Sequence, residues 1–180
     1  MYPFPVNNQV DSAWDRPERV VLATSVDAEG SANIISIGWM MRANMEPPVF
    51  ALGLGMKSHS CRNISASGEF VLAVPGLDLG REVIYCGTHS GATVDKFQET
   101  GLTPLPGKVV KAPLIGECLF NLECKVIAAQ DIQDHRVFFG EVVAGWRAEH
   151  EGRNLLVIGE ESGYELVHEE AGFRLGAVRE

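Results

Sequence analysis

Glycine and proline break this chain every ten to twenty residues, and the segments between the breaks are short and rich in Val, Ile, Leu and Phe. Either residue ends or weakens a helix, so long helices cannot form between such breaks, whereas short strands can. A mainly β domain is therefore predicted. Apolar types make up 46% of the 180 residues and charged types 22%, which suits one packed core and leaves too little chain for a second independent domain. Strands outnumber the short helices without the regular βαβα alternation of a doubly wound sheet, so a closed or nearly closed antiparallel barrel is expected.

Arg19 to Val26 is predicted as a buried strand. The turn residues 27–30 (DAEG) lead into a second strand through Trp39, and the two form a hairpin. Pro47 and Pro48 end the next loop, and Val49 to Leu54 is a third strand. Ser58 opens a short helix that turns Cys61 and Ile64 inward, and Gly68 closes it. Phe70 to Val74 is a fourth strand. Gly80 to Tyr85 and Thr93 to Thr100 read as short helices, the second stopped by Gly101. Strands return over Cys118 to Ala129 and Arg136 to Trp146, with a final pair near Leu155 to Ile158 and Tyr164 to Val167. From Leu119 to Lys125 polar and apolar residues do not alternate cleanly, so no face is assigned there.

Several function classes are disfavoured. The formal net charge is −9 and no run of Lys or Arg exceeds two residues, so the footprint of a nucleic-acid or anionic-membrane binder is missing. The first residues, MYPFPVNNQVDSAWDRPER, show no basic region followed by an apolar core, and the apolar runs are far below a membrane span. A soluble, unprocessed, cytoplasmic protein is expected. Cys61, Cys86, Cys118 and Cys124 contain no CxxC pair and read as buried, reduced thiols. His59 and Cys61 form an HxC with no matching second pair, so no metal site is assigned. GxSxG is absent and His89 beside Ser90 reads as a surface loop, so no catalytic side chain is assigned.

Two segments carry candidate binding chemistry. Gly53, Gly55 and Ser58 (GLGMKS) follow a strand and precede a helix, but Ser58 replaces the third glycine of a dinucleotide fingerprint and no acidic residue ends the next strand. A phosphate site fits better: a first helical turn exposes backbone N–H groups and the positive end of the macrodipole, and Lys57, Ser58, His59, Ser60 and Arg62 surround it with donors. Ser58 can equally be a plain cap with solvated charges around it, and the two roles are compatible. In the second strand, Asn33 is either an ordinary turn residue or a contact for the polar edge of an isoalloxazine, with Ile34 or Ile35 on the ring face. Asp95 and Lys96 read most simply as a solvated helix face.

Over roughly residues 17 to 145 the chain carries, in order, PERVVLATS, DAEGSANIISIGW, PPVFALGLG, KSHSCRNISASGEFVLAVP, SGATVDKF followed by GL, APLIGECLFNLECKV and DHRVFFGEV. This series resembles the flavin reductase-like family, the FMN-binding split barrels, in its flavoredoxin-like branch. The resemblance implies one domain with a six-stranded antiparallel split β-barrel and flanking helices, an N-terminal arm over 1–16 and a C-terminal extension over 147–180. It further implies a homodimer with FMN held noncovalently near the subunit interface. By position, Ala32, Asn33, Ile34, Ile35 and Ser36 match the segment that touches the flavin ring and ribityl chain. Lys57, Ser58, His59 and Ser60 match the phosphate segment, with Asn63 nearby. Lys96 matches a lysine close to the cofactor region. Relatives often carry Asn where this chain has Ala73, and nothing specific matches the tail beyond Trp146. The implied activity is hydride transfer from NADH or NADPH to bound FMN and on to free flavin, a metal complex or a protein acceptor. The alternatives are an electron carrier of the flavoredoxin type reduced by a partner protein, and a flavin-binding protein without enzymatic activity.

Overall fold

The computed structural model describes residues 16–158 and 164–178. Most of the expected N-terminal arm, together with 159–163 and 179–180, lies outside the described residues. The chain forms β1 (Glu18–Arg19), β2 (Val21–Val26), β3 (Ala32–Ile37), β4 (Met40–Asn44), β5 (Val49–Gly55), α1 (His59–Ser67), β6 (Glu69–Val74), α2 (Gly80–Thr88) and α3 (Lys96–Thr100). It continues with β7 (Pro104–Leu105), β8 (Leu114–Ile115), β9 (Phe120–Ile132), β10 (His135–Arg147), β11 (Leu156–Val157), β12 (Tyr164–Glu170) and β13 (Phe173–Val178). The expected class holds: strands dominate, the helices are short, and every strand pairing is antiparallel.

The main sheet runs β3-β2-β6-β9-β10-β5-β4. Its two outermost strands, β3 and β4, are consecutive in the chain and joined only through Gly38 and Trp39, so the sheet must curl until its edges meet. The Gly53 amide donates to the Trp39 carbonyl at 2.9 Å at that join. A split barrel is the result.

β2 is buried at all six positions because both of its faces are covered. Val21 and Ala23 point into the barrel with Phe50, Leu52, Phe70 and Phe138, while Leu22 points outward to a second layer made with Ile34, Val83 of α2 and Phe97 of α3. Helix α1 closes one end of the barrel with Cys61 and Ile64. Gly68 ends that helix in the left-handed region at φ 70°, where a side chain would be strained.

Four details differ from the sequence reading. Met40–Asn44 is a strand, hidden because it is an edge strand with mostly exposed residues. The helix expected from Thr93 starts only at Lys96, because the Asp95 carboxylate caps it by accepting from the amides of Phe97 and Gln98. The expected strands near Leu155 to Ile158 and Tyr164 to Val167, β11 and β12, do not pair with each other: β13, which was not expected, lies between them, and β1 joins at the far edge of β11. The C-terminal extension, joined by β1, thus forms a second sheet, whose Leu175, with nearby Leu155, packs into the outer core layer. Finally, Asn121 and Glu123 are both buried. The Asn121 amide brackets the backbone of Ile115, and the Glu123 carboxylate accepts from the amides of Lys108, Val109 and Val110 and from the Trp146 indole.

Candidate cofactor site

Ser58 is the N-cap of α1, with extended backbone at φ −68° and ψ 147°, and its Oγ accepts from the Cys61 amide at 3.1 Å. Other first-turn amides and the positive helix end point out past it. No acidic residue lies in the first turn to compete for them. Lys57 and Arg62 are exposed and His59 is half-buried. Arg62 donates to the Lys57 carbonyl at 3.2 Å and lies 3.4 Å from His59 Nδ1, which gathers the basic groups on one rim. Cys61, by contrast, packs in the barrel core, so the HxC pair does not converge.

Ser60, one turn-step in from the cap, is buried. Its Oγ accepts from Asn33 Nδ2 at 2.7 Å, a contact that ties β3 to α1. Neither the Ser58 nor the Ser60 hydroxyl donates to another group among the described residues, so both protons are available to an anion. Asn33 Oδ1 is buried and has no hydrogen-bond partner. Gly91 closes over this oxygen so tightly that a Cβ at position 91 would collide with it. Asn63, also buried, donates to Ser25 Oγ at 3.4 Å and so ties α1 to β2.

The rest of β3 alternates as its pleat requires. Ala32 and Ile34 pack on the α2 side and Ile35 packs toward the barrel, with Ile34 wholly buried. The strand therefore offers a ligand its backbone, the Asn33 amide oxygen and the half-buried Ser36 hydroxyl, rather than the Ile34 side chain. Ser36, Gly38 and Gly87 line a cavity of about 150 Å³ with Glu18, Ile84 and Phe173. The C-terminal sheet thus contributes a wall beside the β3 segment.

Lys96 is 3% exposed, not solvated, and its ammonium donates at 2.7 Å both to the Ile34 carbonyl and to the Cys86 carbonyl. Burial lowers its pKa, and the nearby Cys86 acts in the opposite sense. Its direct partners are backbone groups of β3 and α2, so it fixes the position of the strand. Cys86 itself, buried beside it, has its thiol pushed up to about 12 by desolvation, which disfavours the thiolate.

Sequence reasoning missed three residues near this site, Gly91, Trp39 and His135. Gly91 sits within the SGATVDKF segment, where nothing local marks a close approach to Asn33. Trp39 and His135 form a ring pair at 4.9 Å, with His135 directly opposite Gly55 in the β10–β5 ladder. Ala73 is fully buried in the outer core layer and supplies no polar group to the cleft. GLGMKS begins at the end of β5 in an antiparallel sheet, which removes the parallel βαβ unit that a dinucleotide fold requires.

The donors around Ser58 suit a phosphate and the orphaned Asn33 oxygen suits a hydroxyl donor, and FMN carries both kinds of group. The residues present fit that cofactor. Fold and donor set together define the class of flavin-binding split barrels. Residues 15–166 match the family model described as "Flavin reductase like domain". The chain belongs to the flavin reductase-like family.

An uncharacterized protein of Archaeoglobus fulgidus is 35% identical over 111 residues, which is 62% of this chain and 63% of that protein, so the match spans under two thirds of that relative's length. Flavoredoxin of Desulfovibrio vulgaris (Miyazaki F) is similar in structure with a TM-score of 0.79 and 25% identity, covering 100% of this chain and 94% of that one. An FMN-binding protein from Thermus thermophilus shares the fold with a TM-score of 0.81 at 20% identity, covering 100% of this chain and 98% of that one. No helix among the described residues is long and apolar enough to cross a membrane.

Proposed function

We propose that this protein is a flavin-binding oxidoreductase that holds FMN noncovalently between α1 and β3 and accepts reducing equivalents from NADH or NADPH. The observation that carries this function is the Asn33–Ser60 pair: a buried amide joins the basic helix end to the strand and keeps one oxygen buried and unsatisfied at their junction. When bound, FMN supplies the hydride and electron chemistry. The chain's own residues position it. Ser58, Ser60 and the first-turn amides of α1 donate to the phosphate, Lys57 and Arg62 offset its charge, and Asn33 Oδ1 accepts from the ribityl chain. Lys96 holds the Ile34 peptide in place, and Ser36 borders the ring.

The acceptor on this reading is free flavin, a metal complex or a protein. The four buried, free thiols fit a cytoplasmic setting. A homodimer is part of the proposal: Trp39 is 64% exposed and Met41 61% exposed, and with Ala51, Gly53 and Val137 they form an open apolar surface next to the site. Sedimentation of the protein and of Trp39→Glu tests this, with a dimer expected for the first and a monomer for the second.

The experiment for the main proposal is a visible spectrum of the purified protein with added FMN, followed by anaerobic mixing with each nicotinamide. Bleaching of the flavin band with one or both supports the reductase. Bound FMN that neither nicotinamide bleaches would replace it with an electron carrier reduced by another protein, a reading favoured by the likeness to flavoredoxin. Failure to bind FMN would overturn both.

A further inference from the structure

The barrel end opposite α1 contains a cavity of about 300 Å³ that is separate from the cofactor cleft. Its wall is apolar, with Val21, Phe50, Leu72 and Leu122 facing in from four different strands, and Arg19 and Arg42 stand among its lining groups. Leu155 and Leu156 of the C-terminal extension also line it, beside the side-chain amide of Asn154. None of its lining residues is acidic.

The two arginines are the unusual feature. The protein carries a net charge of −9, yet neither guanidinium has a carboxylate partner among the described residues. Arg42 lies across the strand pair from Phe50 and is held over that ring at 5.3 Å from its centroid, with the Met45 sulfur as its other contact. The guanidinium is thus placed at the rim of the apolar space by stacking rather than drawn away by an acid. A void with apolar walls forfeits dispersion contacts that an apolar occupant would restore. Its size, apolar lining and few polar groups are those of a small-molecule site.

We propose that the barrel end binds a small carboxylate with an apolar body, an acyl chain or a single aromatic ring, whose tail fills the space between Leu72 and Leu122 and whose carboxylate is met by Arg42 and Arg19. A planar fork of donors matches a carboxylate bidentately, and the absence of competing acids leaves both forks available. This site does not depend on the flavin assignment, since none of the residues placed against FMN lines it.

The test is titration of the full-length protein with octanoate and with phenylpropionate, using octanol as the neutral probe, followed by calorimetry and by NMR shifts of the leucine methyls. Saturable one-to-one binding of at least one acid is expected, with octanol weaker by about tenfold or more, the size of one charge-assisted contact. Arg19→Gln with Arg42→Gln should weaken the acid by a similar factor while leaving octanol unchanged. Val74→Phe, which adds bulk to the cavity wall, should reduce binding of acid and alcohol together. No saturable binding of either acid, equal affinity for acid and alcohol, or unchanged affinity in the double arginine variant would overturn the proposal. Unaltered thermal unfolding of the arginine variants, both at exposed positions, separates loss of the site from loss of the fold.

Discussion

Asn33 donates to Ser60 at 2.7 Å across the join between β3 and α1, and its own carbonyl oxygen is left buried without a partner. One side chain therefore locks the strand matched to the flavin ring onto the helix matched to the phosphate. It also holds an acceptor ready between them. Replacing Asn33 by Ala removes both functions. FMN affinity, read by quenching of flavin fluorescence, is expected to fall by roughly 1 to 3 kcal/mol. Loss of the Asn33–Ser60 bond alone should cost the fold only about 1 kcal/mol. Wild-type affinity in this variant would remove the ribityl chain from the Asn33 cleft.

Ser58 and Ser60 each use an oxygen lone pair internally, one for the Cys61 amide and one for Asn33, and keep a proton to donate. The double change to Ala should weaken FMN by about 1 to 3 kcal/mol, since donors to a charged group are the strong kind. Riboflavin, which lacks the phosphate, should lose much less. Lys57→Glu should weaken FMN more than Lys57→Met, because it adds repulsion to lost attraction. Equal effects of the two would show that the lysine does not face the phosphate.

Gly91 lies so close to Asn33 that a methyl group there would collide with the Asn33 amide oxygen. Gly91→Ala must push the loop after α2 outward or rotate the Asn33 amide away from Ser60. Overpacking of this sort costs about 1 to 3 kcal/mol. Both thermal stability and FMN affinity should drop. A drop in stability alone, with FMN binding intact, would place the loop outside the cofactor cleft.

Local chemistry made the barrel strands and the cap of α1 legible: a continuous apolar run for β2, DAEG for the first hairpin, and Ser58 and Gly68 at the two ends of the helix. Elements without a local signature were not. β4 is an edge strand whose residues are mostly exposed, so no alternation marks it. Lys96 follows a capping Asp and looks like a solvated face, yet its ammonium bonds a carbonyl 62 positions away. The unresolved faces of Leu119 to Lys125 have the same cause. Asn121 and Glu123 point inward because the amides of β8 and of the 108–110 loop come to meet them, and nothing beside them in sequence announces those donors.

Glu123 is wholly buried and accepts four hydrogen bonds: from the amides of Lys108 at 2.9 Å, Val109 at 2.6 Å and Val110 at 2.8 Å, and from the Trp146 indole at 2.7 Å. Burial pushes its pKa up, but these four donors outweigh burial and leave the carboxyl below its ordinary value of 4.5. A folded-state pKa below the unfolded one contributes stability that is complete above the ordinary carboxylate range and lost as the pH falls through the folded value. The protein should therefore lose stability in acid, and part of that loss belongs to Glu123. In Glu123→Gln one acceptor oxygen becomes an NH₂ group aimed at donors, so the loop over 107–110 loses its anchor at every pH. Urea unfolding should show the variant about 2 to 4 kcal/mol less stable at neutral pH. The gap should narrow as the pH falls below the ordinary carboxylate range toward the lower folded value, because the stability contributed by the ionised Glu123 is lost there. A gap that stays constant with pH would show that the charge on Glu123 does not hold the loop. FMN affinity should not follow either change, because among the described residues the Glu123 carboxylate bonds to the 108–110 loop and Trp146 and to no residue of α1 or β3.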